Sequence, residues 1–238
     1  MRWLVTFIRI VCIALAAGLF ALTALVSIAI QPSRTMYFWS GATWSRFALW
    51  LSNVSYNKSG FKDDYSRGNY IIVSNHASMY DIPVLMTTFP KMRIMFKKEL
   101  SYVPIWGWAM RWGDHIMVDR KKGTEAMKSL DRAAKAITTG GQVLLFAEGT
   151  RTRDGKLLPF KRGAFSLAAK SGVPILPVTI NGSFSILPKG SFDIRPSVID
   201  VVIGDPISTQ GIDSREKEVA LMNTVRGIIE KNYKEPTA

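Results

Sequence analysis

The hydrophobic positions divide the chain into an apolar N-terminal end and a longer part in which apolar and polar stretches alternate. Ile10–Ile30 is a run of 21 residues without a charge, and as a helix, at about 1.5 Å per residue, it would reach roughly 30 Å, the thickness of a membrane's hydrocarbon layer. Met36–Val54 contains six aromatic residues and a single charged one, Arg46. Such aromatic enrichment is typical of the boundary between water and lipid. The pattern predicts helical membrane-anchoring segments over residues 1–56.

Three kinds of segment fit this apolar end. A secretory signal peptide would have a shorter apolar region, of about 7 to 15 residues, and a better cleavage site than Ser27–Ala29, so a retained anchor is favoured. A single span followed by an amphipathic segment and a helical hairpin that dips into one leaflet both stay open, because Pro32 and Ser33 provide a reversal point. Basic residues flank the run on both sides, so the charge bias that orients membrane helices is undecided.

Beyond a polar stretch at Asn57–Asn69, which is typical of a linker, short apolar runs alternate with helical periodicity. Helices are predicted over Thr124–Thr139 and Ser214–Tyr233, where apolar residues recur every three or four positions. The candidate strands are Tyr70–Ser74, Arg93–Phe96, His115–Val118, Gln142–Phe146, Ile175–Ile180 and Val198–Ile203. This alternation predicts an α/β fold over residues 57–238, with a mixed, largely parallel sheet flanked by helices.

Polar side chains follow four of the candidate strands directly. These clusters are Asn75–Asp81, Lys97–Glu99, Asp119–Arg120 and Glu148–Arg151. In open α/β sheets, ligands bind outside the carboxyl ends of the parallel strands. If the strands run the same way, the four clusters lie along one rim and form a single site from residues that are scattered in the sequence.

The first cluster contains a histidine and an aspartate five residues apart, His76 and Asp81. Histidine is the usual side chain for moving a proton near neutral pH, and a carboxylate on its other ring nitrogen fixes the tautomer. On one continuous helix this spacing would turn the two side chains apart, so pairing requires His76 on a turn and Asp81 at a helix start. An isolated pattern of this length also fits a helix-capping aspartate and a loop histidine.

The composition excludes several classes of chemistry. One cysteine and two histidines among 238 residues leave no disulfide framework and no zinc site of Cys and His ligands. The absence of a G-x-S-x-G elbow argues against an acyl-enzyme. Gly149–Lys156 is similar to a phosphate loop, but five residues separate its glycines and Leu157 replaces the Ser or Thr that would hold magnesium. We therefore expect no nucleotide hydrolysis, no metal and no cofactor.

Charge is concentrated in the middle of the chain. The net charge is +13, and residues 91–162 alone hold sixteen basic and seven acidic residues. Such a block suits a phosphate-bearing ligand, an anionic membrane surface or a nucleic acid, and the lack of a nucleic-acid-binding signature argues against the last. Arg151 is the strongest candidate for a phosphate, because it follows a strand and its planar guanidinium fits phosphate oxygens. Arg120 and Lys97 come next.

Four short blocks follow one another in order along the chain. They are His76–Asp81 (H-x-x-x-x-D), Gly113–Arg120 (GDHIMVDR), Glu148–Thr152 (EGTRT) and Val173–Val178 (VPILPV). Together they resemble the blocks of the glycerolipid acyltransferases, and within that family the small bacterial-type 1-acylglycerol-3-phosphate acyltransferases. Thr152 departs from the resemblance, since serine is common there, and Asp114 and His115 interrupt the second block. We interpret His115 as structural.

The resemblance implies transfer of a fatty acyl group from a thioester donor, acyl-CoA or acyl carrier protein, to the 2-hydroxyl of 1-acylglycerol 3-phosphate (lysophosphatidic acid). The product would be phosphatidic acid, in phospholipid biosynthesis. His76 would be the general base, oriented by Asp81. The residues implied to bind the acceptor are Lys97, Lys98, Arg120, Glu148, Gly149, Thr150 and Arg151.

The resemblance also implies a place for the protein in the cell and leaves other functions to compare. The expected location is the inner membrane, with the catalytic domain on the cytoplasmic side and in contact with membrane phospholipid. Val173–Val178 would line the acyl donor site or pack as a buried strand. One alternative function is acylation of another lysolipid, such as a lyso-ornithine lipid or a different lysophospholipid. Another is a non-catalytic basic protein that binds membranes.

Overall fold

The computed structural model describes residues 2–31, 33–118, 131 and 133–236. The helices with both ends described are α1 (Arg2–Ile30), α2 (Thr35–Leu51), α3 (Asp81–Thr88), α4 (Trp106–Trp112), α5 (Arg162–Ser171) and α6 (Arg215–Asn232). Its strands are β1 (Ser55–Ser59), β2 (Tyr70–Ser74), β3 (Arg93–Lys97), β4 (Ile116–Val118), β5 (Gln142–Phe146), β6 (Ile175–Asn181) and β7 (Val198–Ile203). Short helical turns occur at Asp63–Ser66, Lys98–Tyr102 and Ser183–Ile186. The predicted α/β fold is confirmed.

The seven strands form one sheet in the order β1-β7-β6-β2-β5-β3-β4. Neighbouring strands are parallel throughout, except that β6 and β7 are antiparallel. Strands β2, β3, β4 and β5 therefore end at the same edge of the sheet. The polar segments that follow β2, β3 and β5 meet at this edge, as the sequence pattern predicts, whereas Asp119–Arg120 lies outside the described residues.

The central strands are buried on both faces of the sheet, which explains why they read as continuous apolar runs. Along β2, Ile72 packs into a core on one face with residues of α3, such as Val84 and Leu85. Its neighbours Ile71 and Val73 pack into a second core on the other face, which contains residues of α5 and α6. Side chains alternate across a strand, so adjacent residues serve opposite cores.

Two segments differ from the predicted elements. Part of the expected linker Asn57–Asn69 belongs to β1, which pairs in parallel with β7 at the edge of the sheet. Four of its five residues are exposed, so this strand has no apolar run that the sequence could reveal. The predicted helix Thr124–Thr139 is described only in part, and residues 133–138 are helical. Its beginning lies outside the described residues.

The apolar end folds as two helices that pack against each other. The indole nitrogen of Trp44 on α2 donates to the backbone oxygen of Ile13 on α1 at 3.3 Å, and the hydroxyls of Thr23 and Ser40 lie 3.0 Å apart. Trp3–Ile30 is the one described segment that is long and apolar enough to cross a membrane, judged by length and composition. Helix α1 begins at Arg2, before the predicted apolar run, which starts at Ile10.

Candidate active site

The structure brings His76 and Asp81 together in the geometry of an acid–base pair. His76 lies on the turn after β2, and Asp81 is the first residue of α3. The His76 Nδ1 is 2.8 Å from the Asp81 Oδ2, the aspartate side chain is fully buried and the histidine side chain is 15% exposed. A carboxylate oxygen can only accept a hydrogen bond, so Nδ1 carries a proton, and in the neutral imidazole Nε2 then has a free lone pair.

Asp81 is itself held by the backbone of the turn. Its Oδ2 also accepts hydrogen bonds from the backbone N–H groups of Ala77 and Ser78, both at 2.8 Å. These donors lie in the turn that leads into α3, close to the N-terminus of that helix. The aspartate therefore holds the turn that precedes α3 and also contacts the histidine ring.

The turn that contains His76 is hydrogen-bonded to the loop after β5. The backbone N–H of His76 donates to the Glu148 Oε1 at 2.7 Å, and its carbonyl accepts from the N–H of Thr152 at 3.0 Å. The second carboxylate oxygen of Glu148 accepts from the N–H of Leu158 at 2.9 Å. The turn after β2 and two parts of the loop after β5 are thereby joined around one buried side chain, which fixes the position of His76 in relation to the E-G-T-R loop.

Asn75 secures the same turn from the other side. Its amide donates to the backbone oxygen of Ile180 on β6 and accepts from the N–H of that residue, both at 2.8 Å. The side chain therefore occupies the hydrogen-bonding positions of a neighbouring strand beyond the end of β2. Such a two-point connection leaves the turn before His76 little freedom to move.

A cavity of about 960 Å³ opens beside His76. Its walls are mainly apolar and include residues of both N-terminal helices, with side chains from the sheet behind them. The lining residues from α1 and α2 are Ala17, Phe20, Ala21, Ala24, Tyr37, Phe38, Gly41 and Trp44. A site of this size and polarity suits a ligand with a long apolar portion, and helices α1 and α2 are part of its wall rather than a separate anchor.

The polar side of the cavity is cationic. Of the residues predicted to bind the acceptor, Lys97, Gly149, Thr150 and Arg151 line the cavity together with His76. Gly149 has a positive φ of 70°, and a Cβ there would lie 3.0 Å from the side chain of Lys161. Glycine at this position therefore permits both the turn and the close approach of a lysine.

Two further cations, Lys161 and Lys189, line the cavity, and neither was predicted from the sequence to belong to the site. The ammonium of Lys189 donates to the Thr150 Oγ1 at 2.8 Å and approaches the carbonyl of Arg151 at 3.4 Å. Lys189 lies 39 residues away from Thr150 in the sequence, beyond β6, and no local pattern connects them. Lys161 lies within the basic block, but its position over Gly149 depends on the fold.

The remaining predicted residues lie elsewhere. Glu148 is 2% exposed and accepts hydrogen bonds from backbone N–H groups, so it holds the turn of His76 in place and does not face the cavity. Lys98 is in the turn after β3 and is not among the lining residues, and Arg120 lies outside the described residues. Val173–Val178 enters the fully buried strand β6 and takes the alternative role, that of strand packing.

His115, which we interpreted as structural, is hydrogen-bonded inside the fold and also lines the cavity. Its Nδ1 accepts a hydrogen bond from the backbone N–H of Ile94 at 3.1 Å, and its ring lies 5.6 Å from that of Tyr37. Desolvation, helped by the nearby charge of Arg93, lowers the pKa of His115 to about 4. The imidazole is therefore neutral at physiological pH and joins β3 to the segment before β4.

The buried carboxyl of Glu148 gives the fold a specific pH dependence. Burial raises the pKa of Glu148 to about 7, while the N–H groups of His76 and Leu158 act in the opposite direction. The folded protein thus binds a proton that the unfolded chain, with a pKa near 4.5, releases. The contribution of this carboxyl group to the free energy of unfolding is fully present below pH 4.5 and is lost as the pH rises through about 7.

We therefore expect the thermal stability of the wild type, relative to Glu148→Gln, to fall between pH 5 and pH 8. Glutamine does not titrate, so the difference between the two unfolding curves isolates the carboxyl group. Circular dichroism melts of both proteins in the same detergent would measure it. If the melting temperature of the wild type, measured relative to that of Glu148→Gln, stayed constant or rose from pH 5 to pH 8, the assigned protonation of Glu148 would be contradicted.

Fold and site together define a class: an α/β protein with a histidine–carboxylate pair at the polar end of an apolar, cation-rimmed cavity. The family model for acyltransferases matches residues 56–181, more than half of the chain. The protein belongs to the acyltransferase family, which confirms the resemblance seen in the four sequence blocks.

Individual relatives carry more specific names. A 1-acyl-sn-glycerol-3-phosphate acyltransferase of Pseudomonas aeruginosa is 33% identical over 187 residues, which is 76% of this chain and 72% of that protein. A chloroplastic 1-acyl-sn-glycerol-3-phosphate acyltransferase of Brassica napus is 35% identical over 161 residues, or 65% of this chain. The chain spans about half the length, 47%, of the Brassica napus protein.

A solved structure extends the similarity to the whole fold. The crystal structure of the 1-acyl-sn-glycerophosphate (LPA) acyltransferase PlsC from Thermotoga maritima superimposes with a TM-score of 0.82 at 25% sequence identity. The match covers 97% of this chain and 94% of the other, so it includes the two N-terminal helices as well as the α/β part.

Proposed function

We propose that the protein transfers a fatty acyl group from a thioester, acyl-CoA or acyl carrier protein, to the 2-hydroxyl of 1-acylglycerol 3-phosphate, and so forms phosphatidic acid. The observation that carries this proposal is the 2.8 Å contact between His76 Nδ1 and Asp81 Oδ2 at the polar end of the apolar cavity. The names of the relatives from Pseudomonas aeruginosa and Brassica napus support the choice of acceptor.

His76 acts as the general base. The lone pair on Nε2 takes the proton of the acceptor hydroxyl while the oxygen attacks the thioester carbonyl, and Asp81 stabilises the imidazolium that forms. Among the described residues no hydrogen bond engages Nε2, and His76 lines the cavity, so this nitrogen is accessible to an acceptor. General base catalysis of this kind contributes about 10² to 10⁴ in rate.

The second half of the reaction returns the proton. Collapse of the tetrahedral intermediate breaks the carbon–sulfur bond, the thiolate leaves, and the imidazolium protonates it. The products are an ester and a free thiol, and His76 and Asp81 regain their starting states. One transfer step is sufficient, so no acyl group becomes attached to the protein.

The cationic rim binds the phosphate of the acceptor. Arg151 offers a planar fork for phosphate oxygens, and Lys97, Lys161 and Lys189 add positive charge around the same space. None of these four residues takes part in an ion pair with another described residue. Their charges are therefore available to a dianionic ligand, and the apolar cavity is left for acyl chains.

The substitution Arg151→Ala is expected to weaken acceptor binding. Loss of a hydrogen-bonded charge costs about 1.5 to 3 kcal/mol, which corresponds to a roughly 10- to 100-fold higher KM for lysophosphatidic acid. The kcat should change little, because the guanidinium binds the phosphate in both the ground state and the transition state. Steady-state kinetics with a fixed donor concentration would measure both constants.

Arg153→Ala provides the matched control for this prediction. Arg153 is an exposed arginine two residues away in the same loop and is not among the lining residues, so its removal should leave KM within about twofold, as for most surface substitutions. Equal effects of the two substitutions would indicate a general surface attraction. Unchanged kcat and KM in Arg151→Ala would remove Arg151 from the site.

The N-terminal helices, within residues 1–56, hold the catalytic domain of residues 57–238 at the membrane. Large apolar residues of α1 face outward, among them Leu15 at 70% and Leu19 at 61% exposure, which lipid would cover. Acceptor and product are both lipids, and moving a chain through water costs about 0.8 kcal/mol for each CH₂. A cavity whose wall includes α1 and α2 avoids that cost. We place the protein at the inner membrane, with the catalytic domain facing the cytoplasm.

The proposal is tested by incubating the detergent-purified protein with labelled lysophosphatidic acid and each thioester donor in turn. Mass spectrometry then identifies the lipid product by its mass. A gain of one acyl chain on lysophosphatidic acid supports it. A panel of other acceptors, including lyso-ornithine lipid and lysophospholipids with larger head groups, gives the comparison. Faster acylation of one of these would assign a different acceptor to the same chemistry.

A further inference from the structure

The ring of Phe146 lies flat against the imidazole of His76. The two ring centroids are 3.7 Å apart and the planes differ by 9°. Phe146 is the last residue of β5 and faces Ser74 of β2 in register. His76 follows Ser74 by two residues, so the parallel pairing of β2 and β5 places the two rings one above the other.

Phe146 is well fixed by its surroundings. The backbone at this point is tied to β2 through the hydrogen bond from Ala147 N–H to Ser74 at 3.2 Å, and Gly149 N–H donates to the carbonyl of Phe146 at 3.0 Å. The ring is half-buried, packs against a core cluster and lines the cavity. A rigid aromatic surface therefore supports one face of the imidazole.

The hydrogen bond to Asp81 restrains the ring at Nδ1 only. Small coupled changes of χ1 and χ2 can keep this contact while they tilt the ring plane and carry Nε2 away from the acceptor. Contact over a whole face fixes the plane. The aspartate and the phenylalanine together determine where the Nε2 lone pair points.

The stack also distinguishes between the two protonation states of His76. The face of a benzene ring carries negative potential and attracts a cation placed over it. Neutral imidazole gains little from this attraction, whereas the imidazolium that forms as the hydroxyl loses its proton gains more. An interaction that strengthens on the way to the transition state raises kcat rather than substrate affinity.

We infer that Phe146 is a positioning residue for the reaction, which holds the plane of the His76 imidazole and stabilises its protonated form through the face of its ring. The inference rests on the proposed function, because it assigns Phe146 an effect on the general base. A residue that only fills the core would affect stability and would not distinguish kcat from KM.

The substitutions Phe146→Leu and Phe146→Tyr test this role. Leucine keeps apolar bulk without a ring face, and we expect kcat to fall about tenfold, within the range of cation–π effects, with KM for lysophosphatidic acid unchanged within about twofold. Tyrosine keeps the ring face and should restore most of kcat. Phe61→Leu is the control, since Phe61 is also half-buried against the same core but does not line the cavity; its kcat should equal that of the wild type.

Fluorinated phenylalanines at position 146 separate charge from shape. Successive fluorine atoms withdraw electron density from the ring face and change its outline little, so kcat should fall stepwise from phenylalanine to pentafluorophenylalanine. A wild-type kcat in Phe146→Leu would overturn the inference. A kcat that is independent of fluorination would overturn its electrostatic part and leave only the fixing of the ring plane.

Nuclear magnetic resonance of histidine-labelled protein in detergent gives a readout that needs no activity. The stacked ring should displace the carbon-bound protons of His76 upfield, Phe146→Leu should abolish the displacement, and His115 provides the internal reference. Absence of this displacement in the wild type overturns the inference. A wild type that shows it but transfers no acyl group contradicts the proposed function and the catalytic part of the inference, while the stacked geometry stands.

Discussion

His76→Ala is expected to reduce the turnover of acyl transfer by about 10² to 10⁴, the usual contribution of a general base. The side chain that would accept the proton is removed, and no second imidazole can replace it, because His115 is engaged with the backbone of Ile94. Acceptor binding should survive, since the cationic rim is formed by other residues. Initial rates of phosphatidic acid formation with saturating substrates would measure the loss.

The loss must be separated from misfolding. His76 Nδ1 contributes one hydrogen bond to a turn that is also held by Asn75, Asp81 and Glu148, so the variant should keep the circular dichroism spectrum of the wild type. Its binding of lysophosphatidic acid should also be preserved. Turnover within a few-fold of the wild type in a folded His76→Ala protein would refute the proposed mechanism.

Asp81→Asn is expected to lower kcat by roughly 10² or more while the turn stays intact. The amide oxygen of asparagine can still accept from the backbone N–H groups of Ala77 and Ser78. It carries no charge, however, and no longer stabilises the imidazolium. If the amide nitrogen faces the ring instead, Nδ1 becomes the acceptor and the lone pair is lost from Nε2.

Asp200→Asn is the matched control for this charge removal. Asp200 lies on β7, accepts from the side chain of Asn57 at 3.0 Å and is not among the residues that line the cavity. Its replacement should leave kcat unchanged. If Asp81→Asn retained full activity, the aspartate would serve only to hold the turn before α3, and its contact with His76 would have no catalytic role.

The sequence predicted the centre of the fold better than its edges. The bounds of β2 and β5 agree with the candidate strands, because strands that are buried on both faces consist of uninterrupted apolar residues. The start of α3 at Asp81 also agrees with the requirement for pairing with His76. The sequence predicted a linker where the edge strand β1 lies, because exposed strand positions need no apolar residues and so leave no hydrophobic pattern.

The site was predictable where its residues follow the strands that carry them. His76 and Arg151 each come after a strand of the parallel set and Lys97 ends one, so the topology alone brings them to one rim. Lys189 and Phe146 show the limit of such reasoning. The contact of Lys189 with Thr150 and the stack of Phe146 on His76 arise from register and loop conformation, and neither leaves a periodic or spaced pattern in the sequence.

At the N-terminal helices, too, the sequence predicted the helix but not its contacts. Length and composition indicated a helix able to cross a membrane, and α1 contains that run. The contribution of Phe20 and Trp44 to the wall of the cavity depends on how α1 and α2 pack against the α/β part. Apolar composition predicts burial in lipid or protein equally, and only the packing distinguishes the two.

The most direct test of the account is a rapid-quench measurement on the wild-type protein during its first turnover, with a thioester donor labelled in the acyl group and an excess of lysophosphatidic acid. If His76 activates the acceptor hydroxyl for direct attack, free thiol and labelled phosphatidic acid form together and in equal amounts, and no label is found on the protein. Thiol release ahead of the lipid product, with the acyl group bound to the protein, would contradict the account.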